Sequence, residues 1–215
     1  MMDAERMLDR VRWANNVSAR SLGELAVVYR PKDEWRPLDP AHRYIRLPVL
    51  FMPTQGGFDR TVGYGIPFWV GIYDAAYTDV GDYIVMRDKT WFIASQDRFL
   101  PNLCVETNRR VSFARGSQTV VPGANAYAGL TARSLSAMTG IWPASVLGIS
   151  ASGHDVADLP TDVPISCWTV LLPRIGAVLL KLSDMMTDDL GRTGIIMATE
   201  LTRLGWRLTV RDTTT

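Results

Sequence analysis

Cysteine and histidine are scarce in this chain, at two each in 215 residues. Cys104 and Cys167 both sit in apolar, strand-like sequence. One pair over this length is no disulfide framework, and the two read as buried free thiols in a reducing cytoplasm. His42 stands beside Pro40 and reads as a surface residue of a loop. His154-Asp155 is the one pair with metal-site potential, and it sets up the rival reading of a small metal-dependent hydrolase using His154, Asp155 and Asp158. Such a site needs further ligands on rigid elements, and the neighbouring Asp158 and Asp162 lie in a Gly-, Ser- and Pro-rich stretch. Glycine-rich phosphate loops ending in Lys-Ser or Lys-Thr are missing, and so is a Gly-x-Ser-x-Gly nucleophile elbow. The acidic pairs Asp79/Asp82 and Asp188/Asp189 fall where hairpin turns favour Asp. The sequence therefore assigns no catalytic residue, no metal ligand and no cofactor.

Charge of one sign is missing too. Formal net charge is +1, from 23 Lys/Arg and 22 Asp/Glu. Residues 1–118 carry 16 basic and 14 acidic side chains, and residues 119–215 carry 7 and 8. Neither part has the basic excess of a nucleic-acid or membrane-surface binder. No apolar run reaches the roughly 20 residues of a membrane span. Residues 163–182 come closest, interrupted by Pro173, Arg174 and Lys181. The first residues, Met1-Met2-Asp3-Ala4-Glu5-Arg6, have no apolar core and are not expected to be a signal peptide.

What the chain does have is aromatic, β-branched sequence arranged twice. Residues 81–95 read as a hairpin, with apolar runs at 83–86 and 91–94 around the polar break Arg87-Asp88-Lys89-Thr90. Residues 183–199 repeat the order: Asp, an apolar pair, an acidic turn, an apolar run, Ala, then Thr in place of Ser. A strand candidate with a tryptophan precedes each copy, at Trp69 and at Trp168, and another follows, at 102–113 and at 205–210. The chain is expected to be two related β units.

The rest is placed around them. Residues 3–17 predict a helix, with Ala4, Met7, Leu8, Val11 and Ala14 at helical spacing, Asp3 as cap and Asn15-Asn16 as its end. It can close its own sheet or pack on a neighbouring subunit. Residues 25–29 predict a strand, and 43–52, with Pro48, an edge strand. The glycine-rich stretch 53–65 reads as a long exposed loop or a flexible hairpin tip. Arg109, Arg110 and Arg115 read as a solvated face, with a contact to nucleic acid as the alternative. Residues 128–138 fit either a short helix or an irregular crossing, and 139–149 a strand bent at Pro143. The expected fold is mainly β: two similar small β-barrel-like or β-sandwich units with an N-terminal helix. The boundaries are 1–22 for the helix, 23–115 for the first unit, 116–138 for a linker and 139–215 for the second unit.

Several of these stretches resemble a family of tailed-bacteriophage structural proteins, the neck or head–tail connector (stopper-like) components. The resemblance runs through Gly81-Asp82-Tyr83, Thr90-Trp91-Phe92-Ile93-Ala94, residues 100–105 and Asn108-Arg109-Arg110-Val111. It continues through Trp142-Pro143-Ala144-Ser145, residues 168–173, residues 200–202 and Gly205-Trp206-Arg207-Leu208. It implies a non-enzymatic virion protein, present in the host cytoplasm during assembly and forming a ring of identical subunits. The implied partners are the portal or adaptor protein, the tail terminator or tail tube protein, and DNA sliding through the channel without sequence-specific binding. A tail or baseplate protein is the alternative within the same class. Two surfaces are expected to make the contacts: the helix face with Arg6, Arg10 and Trp13, and the loop with Phe58, Asp59 and Arg60.

Overall fold

The computed structural model describes residues 4–54, 66–97, 100–118, 133–149 and 167–213. The expected β architecture is what forms. Helix α1 (Ala4–Leu22) opens the chain. It runs past Asn15-Asn16, because Asn16 Nδ2 donates to Asp74 and so serves as a docking side chain instead of a terminator. Glu5 in the first turn and Arg20 in the last both suit the helix dipole.

The first unit holds β1 (Glu24–Tyr29), β2 (Arg43–Pro53), β3 (Phe68–Ile72), β4 (Tyr83–Met86), β5 (Lys89–Ser95) and β6 (Asn102–Thr107). They pair in the order β1-β2-β3-β6-β5-β4 and close into an antiparallel barrel. Closure corrects one expectation: β2 is paired on both sides, with β1 and with β3, and is no edge strand. Pro48 is accommodated opposite Leu25. The interior is filled by alternate residues of each strand, among them Val28, Val49, Ile84, Trp91 and Ile93.

The second unit holds β7 (Arg109–Gln118), β8 (Arg133–Ala137), β9 (Trp142–Ile149), β10 (Cys167–Leu172), β11 (Met185–Asp188), β12 (Thr193–Thr202) and β13 (Gly205–Asp212). They form a sheet in the order β11-β12-β13-β10-β9-β7-β8. β11 also pairs with β7, so β7-β9-β10-β13-β12-β11 returns on itself as a second ring of six. The two rings have the same strand order, β1 corresponding to β7, β2 to β9, β3 to β10, and the hairpins β4–β5 and β11–β12 to each other.

Four sequence expectations are corrected here. Residues 102–113 are two strands broken at Asn108, not one, and β7 is hydrogen-bonded within the second ring although the sequence boundary put 109–115 in the first unit. The linker 116–138 contributes strand at both ends, in β7 and in β8. The first hairpin turns on Arg87 and Asp88 alone, since Lys89 already pairs with Met86.

The units share one hydrophobic cluster. Tyr83, Phe92, Ala94 and Val105 point out of the first barrel and join the packed residues of the second. Asn108 stitches the junction: its side-chain amide donates to Val146 O at 2.9 Å, and its Oδ1 accepts from Val146 N at 2.8 Å. The segment between β1 and β2 crosses to the second unit as well. Gly140 N donates to Glu34 O at 3.0 Å, and a Cβ at Gly140 would lie 1.8 Å from Trp35 O, so only glycine fits.

Candidate interaction surfaces

The duplication is most exact at the start of each hairpin. Gly81 and Ser183 both have positive φ, +96° and +69°. Gly81 N donates to Ile93 O, and Ile93 N to Asp82 O; Ser183 N donates to Ile196 O, and Ile196 N to Asp184 O. The carboxylate of Asp82 takes the backbone N–H of Asp79 at 2.9 Å, and that of Asp184 takes the N–H of Lys181 at 2.7 Å. Each carboxylate, 2% exposed as a residue, is then gripped by an arginine from the neighbouring strand region. Arg30, just after β1, holds Asp82, and Arg115, in β7, holds Asp184 with contacts of 2.7 and 2.8 Å. The hydrogen bond to Asp82, then the nearby carboxylate charges, raises the Arg30 guanidinium further above its ordinary value against the opposing effect of burial. Arg115 is raised by its hydrogen bond to Asp184.

These pairs are braces of the fold. They also change the reading of Arg115, which is not simply part of a solvated face. The signal that could have found them lies in the repeat itself. Extending it upstream aligns Leu25-Ala26-Val27-Val28-Tyr29-Arg30 with Arg110-Val111-Ser112-Phe113-Ala114-Arg115.

The remaining perturbed groups are also tied up internally. Burial pushes the Cys104 thiol up to about 12, and Tyr73 lies beside it with its hydroxyl 3.9 Å from Sγ. Burial raises the Tyr73 hydroxyl well above its usual range, and Gln96 donates to it. A thiol so held is no nucleophile at neutral pH. His42 is buried, correcting its expected place on the surface. The 3₁₀ turn Pro40–His42 folds it under, with Nδ1 2.8 Å from Arg36 O and Nε2 3.4 Å from Asp33. Both ring nitrogens thus have partners, which is what lets an imidazole sit inside.

Two surfaces stand out among the described residues. One is a cleft of about 700 Å³ between the units, where Phe92 and Val105 face Leu147 and Leu171. Its walls are apolar, and the Glu200–Arg207 pair on its lining is exposed and loose at 3.9 Å. The other is the outer side of α1. The helix rests against β2 and β3. Among its described side chains only Ala19 is fully buried, and Leu8, Arg12, Asn15, Asn16 and Ser18 are half-buried. Met7, Val11, Trp13 and Val17 are exposed, Trp13 at 69%.

Of the contact residues expected from sequence, Arg6, Arg10 and Trp13 all lie on this exposed side of α1. Phe58, Asp59 and Arg60 lie outside the described residues, as do His154, Asp155 and Asp158 of the rival hydrolase reading. Among the described residues no group of three or more His, Cys, Asp or Glu side chains could hold a metal ion, and no helix is long and apolar enough to cross a membrane. No protein-family model, no curated protein and no solved structure matches the chain.

Proposed function

We propose that this chain is a structural subunit of a tailed-bacteriophage particle, a neck or head–tail connector protein that assembles with its own copies into a ring between portal and tail. The observation that carries the reading is the outer surface of α1: a helix docked on a closed barrel that turns Met7 with Val11, and Trp13 with Val17, to solvent in two apolar strips flanking Arg10. Such a face is stable in water only at a cost and is suited to burial against protein. The stretches that resemble the connector family support the same reading, and they fall on strands of both units. Two units packed through one shared hydrophobic cluster suit a structural joint. A net charge of +1 suits a channel through which DNA passes without being held.

In this role the subunit lives in the virion, and in the host cytoplasm while particles assemble. Its partners are the portal or adaptor protein on one side and the tail terminator or tube on the other. Removing the gene tests the assignment. A neck protein leaves filled heads and complete tails unjoined in electron micrographs. A baseplate or tail protein stops tails from forming, and joined, infectious particles from the deletion overturn the reading altogether.

A further inference from the structure

Because the units are duplicates, a surface covered on one has a counterpart on the other. In the first barrel the outward side chains of β4 and β5 are covered by the second unit. Tyr83 and Phe92, which pair with each other, are 0% and 1% exposed, and Tyr83 donates its hydroxyl to Pro143 O at 2.7 Å. The register gives their counterparts directly. Met185 and Ile195 pair in the same way on β11 and β12, and Met197 stands at the register shift that Ala94 occupies in the first barrel. These three are still apolar, yet Met185 and Ile195 are only half-buried and Met197 is 52% exposed.

The receiving side has its counterpart too. Within the chain, Pro143 on β9 meets Tyr83, and Leu171 on β10 lies across the cleft from Phe92. The equivalent positions on the first barrel are Pro48 on β2 and Ile72 on β3. Those are the strands on which α1 rests. Where the second unit carries the first barrel, the first barrel carries α1, with Met7 and Val11 still facing out.

We propose that a second copy of the chain docks there. The outer face of β11–β12 of one copy, through Met185, Ile195 and Met197, seats on α1 of the next, through the i, i+4 pair Met7 and Val11. The contact continues between copies the packing that already joins the two units within one. It is heterologous, with different surfaces at the two ends, so successive copies run head to tail and close as a ring when the rotation allows. The inference rests on the self-assembly proposed above and names its surfaces.

Cross-linking tests it. In a Cys167→Ser background, protein carrying Val11→Cys is mixed with protein carrying Met197→Cys and treated with a short bismaleimide. Covalent dimers are expected in the mixture and not in a control mixture of Asp88→Cys with Met197→Cys. Light scattering on the unmodified chain runs alongside, and Met197→Glu is expected to weaken association at least tenfold while circular dichroism stays unchanged. A chain that associates without the 11–197 link, and is unmoved by Met197→Glu, overturns this pairing and leaves the ring standing. A chain that stays monomeric at every concentration overturns the pairing and the self-assembling ring together.

Discussion

The guanidinium of Arg30 holds the carboxylate of Asp82 side-on, with Nε 3.0 Å from Oδ1 and a terminal nitrogen 2.8 Å from Oδ2. Arg115 and Asp184 repeat the geometry in the second unit. Each aspartate is buried and also caps a backbone N–H, so removing its charge loosens the turn and leaves Arg30 with Asp79 at 2.9 Å and Arg115 with Leu179 O at 2.8 Å as remaining partners. Asp82→Asn and Asp184→Asn are each expected to destabilise by about 2–4 kcal/mol. Midpoints of urea unfolding measure this. A near-zero effect at either site would mean that the brace contributes nothing there.

Tyr83 joins the units by one hydrogen bond and by its ring, which lies 6.1 Å from that of Trp142. Tyr83→Phe keeps the ring and removes the donor from the Pro143 carbonyl. The expected loss is about 1–2 kcal/mol. The same measurement on Tyr83→Ala should show a larger loss, since the buried ring goes with it.

Asp188 gives a dependence on pH. Burial raises its carboxyl, but the hydrogen bonds from the Arg192 side chain, Arg192 N and Leu190 N outweigh that, and the net is a shift below its ordinary 3.8. A lowered value in the folded state means that the fold favours the ionised form. Its stabilisation is complete above the unfolded-chain value and is lost as pH falls through the folded one. The stability gap between the native chain and Asp188→Asn should therefore be flat near neutral pH and narrow below about 3.8. Denaturation curves across acid pH read it directly.

Cys104 is expected to be silent toward thiol reagents while the chain is folded. It is 0% exposed, and its thiol is pushed up to about 12, so the reactive thiolate is scarce at pH 8. Cys167 is half-buried at the start of β10. Titration with a chromogenic disulfide should count Cys167 alone in native protein and both thiols in denaturant. Fast native reaction at Cys104 would show that the first barrel opens readily.

The repeat was legible because strand sequence has a strict period of two. Asp82 and Asp184, and Trp69 and Trp168, could be matched by eye, and they occupy matching places in the two rings. Helical spacing was a poorer guide to facing: Met7, Val11 and Ala14, spaced as one apolar stripe, lie exposed, while Arg12 is half-buried. Arg30 and Arg115 were not, since each meets its aspartate across 52 and 69 residues of chain respectively. His42 was misplaced because burial of an imidazole depends on two acceptors brought in by the fold, Arg36 O and Asp33.

Local sequence by itself determined most of the strands, the first hairpin, the helix and the fact of duplication, because propensity and periodicity act between near neighbours; it left β8 open between a helix and an irregular crossing and ran β6 into β7. Tertiary structure alone decided that β7 belongs with the second ring, that β2 has no free edge, and which apolar faces are covered. Those outcomes depend on ring closure and on one unit packing against the other, and no stretch of the chain carries either in its own residues.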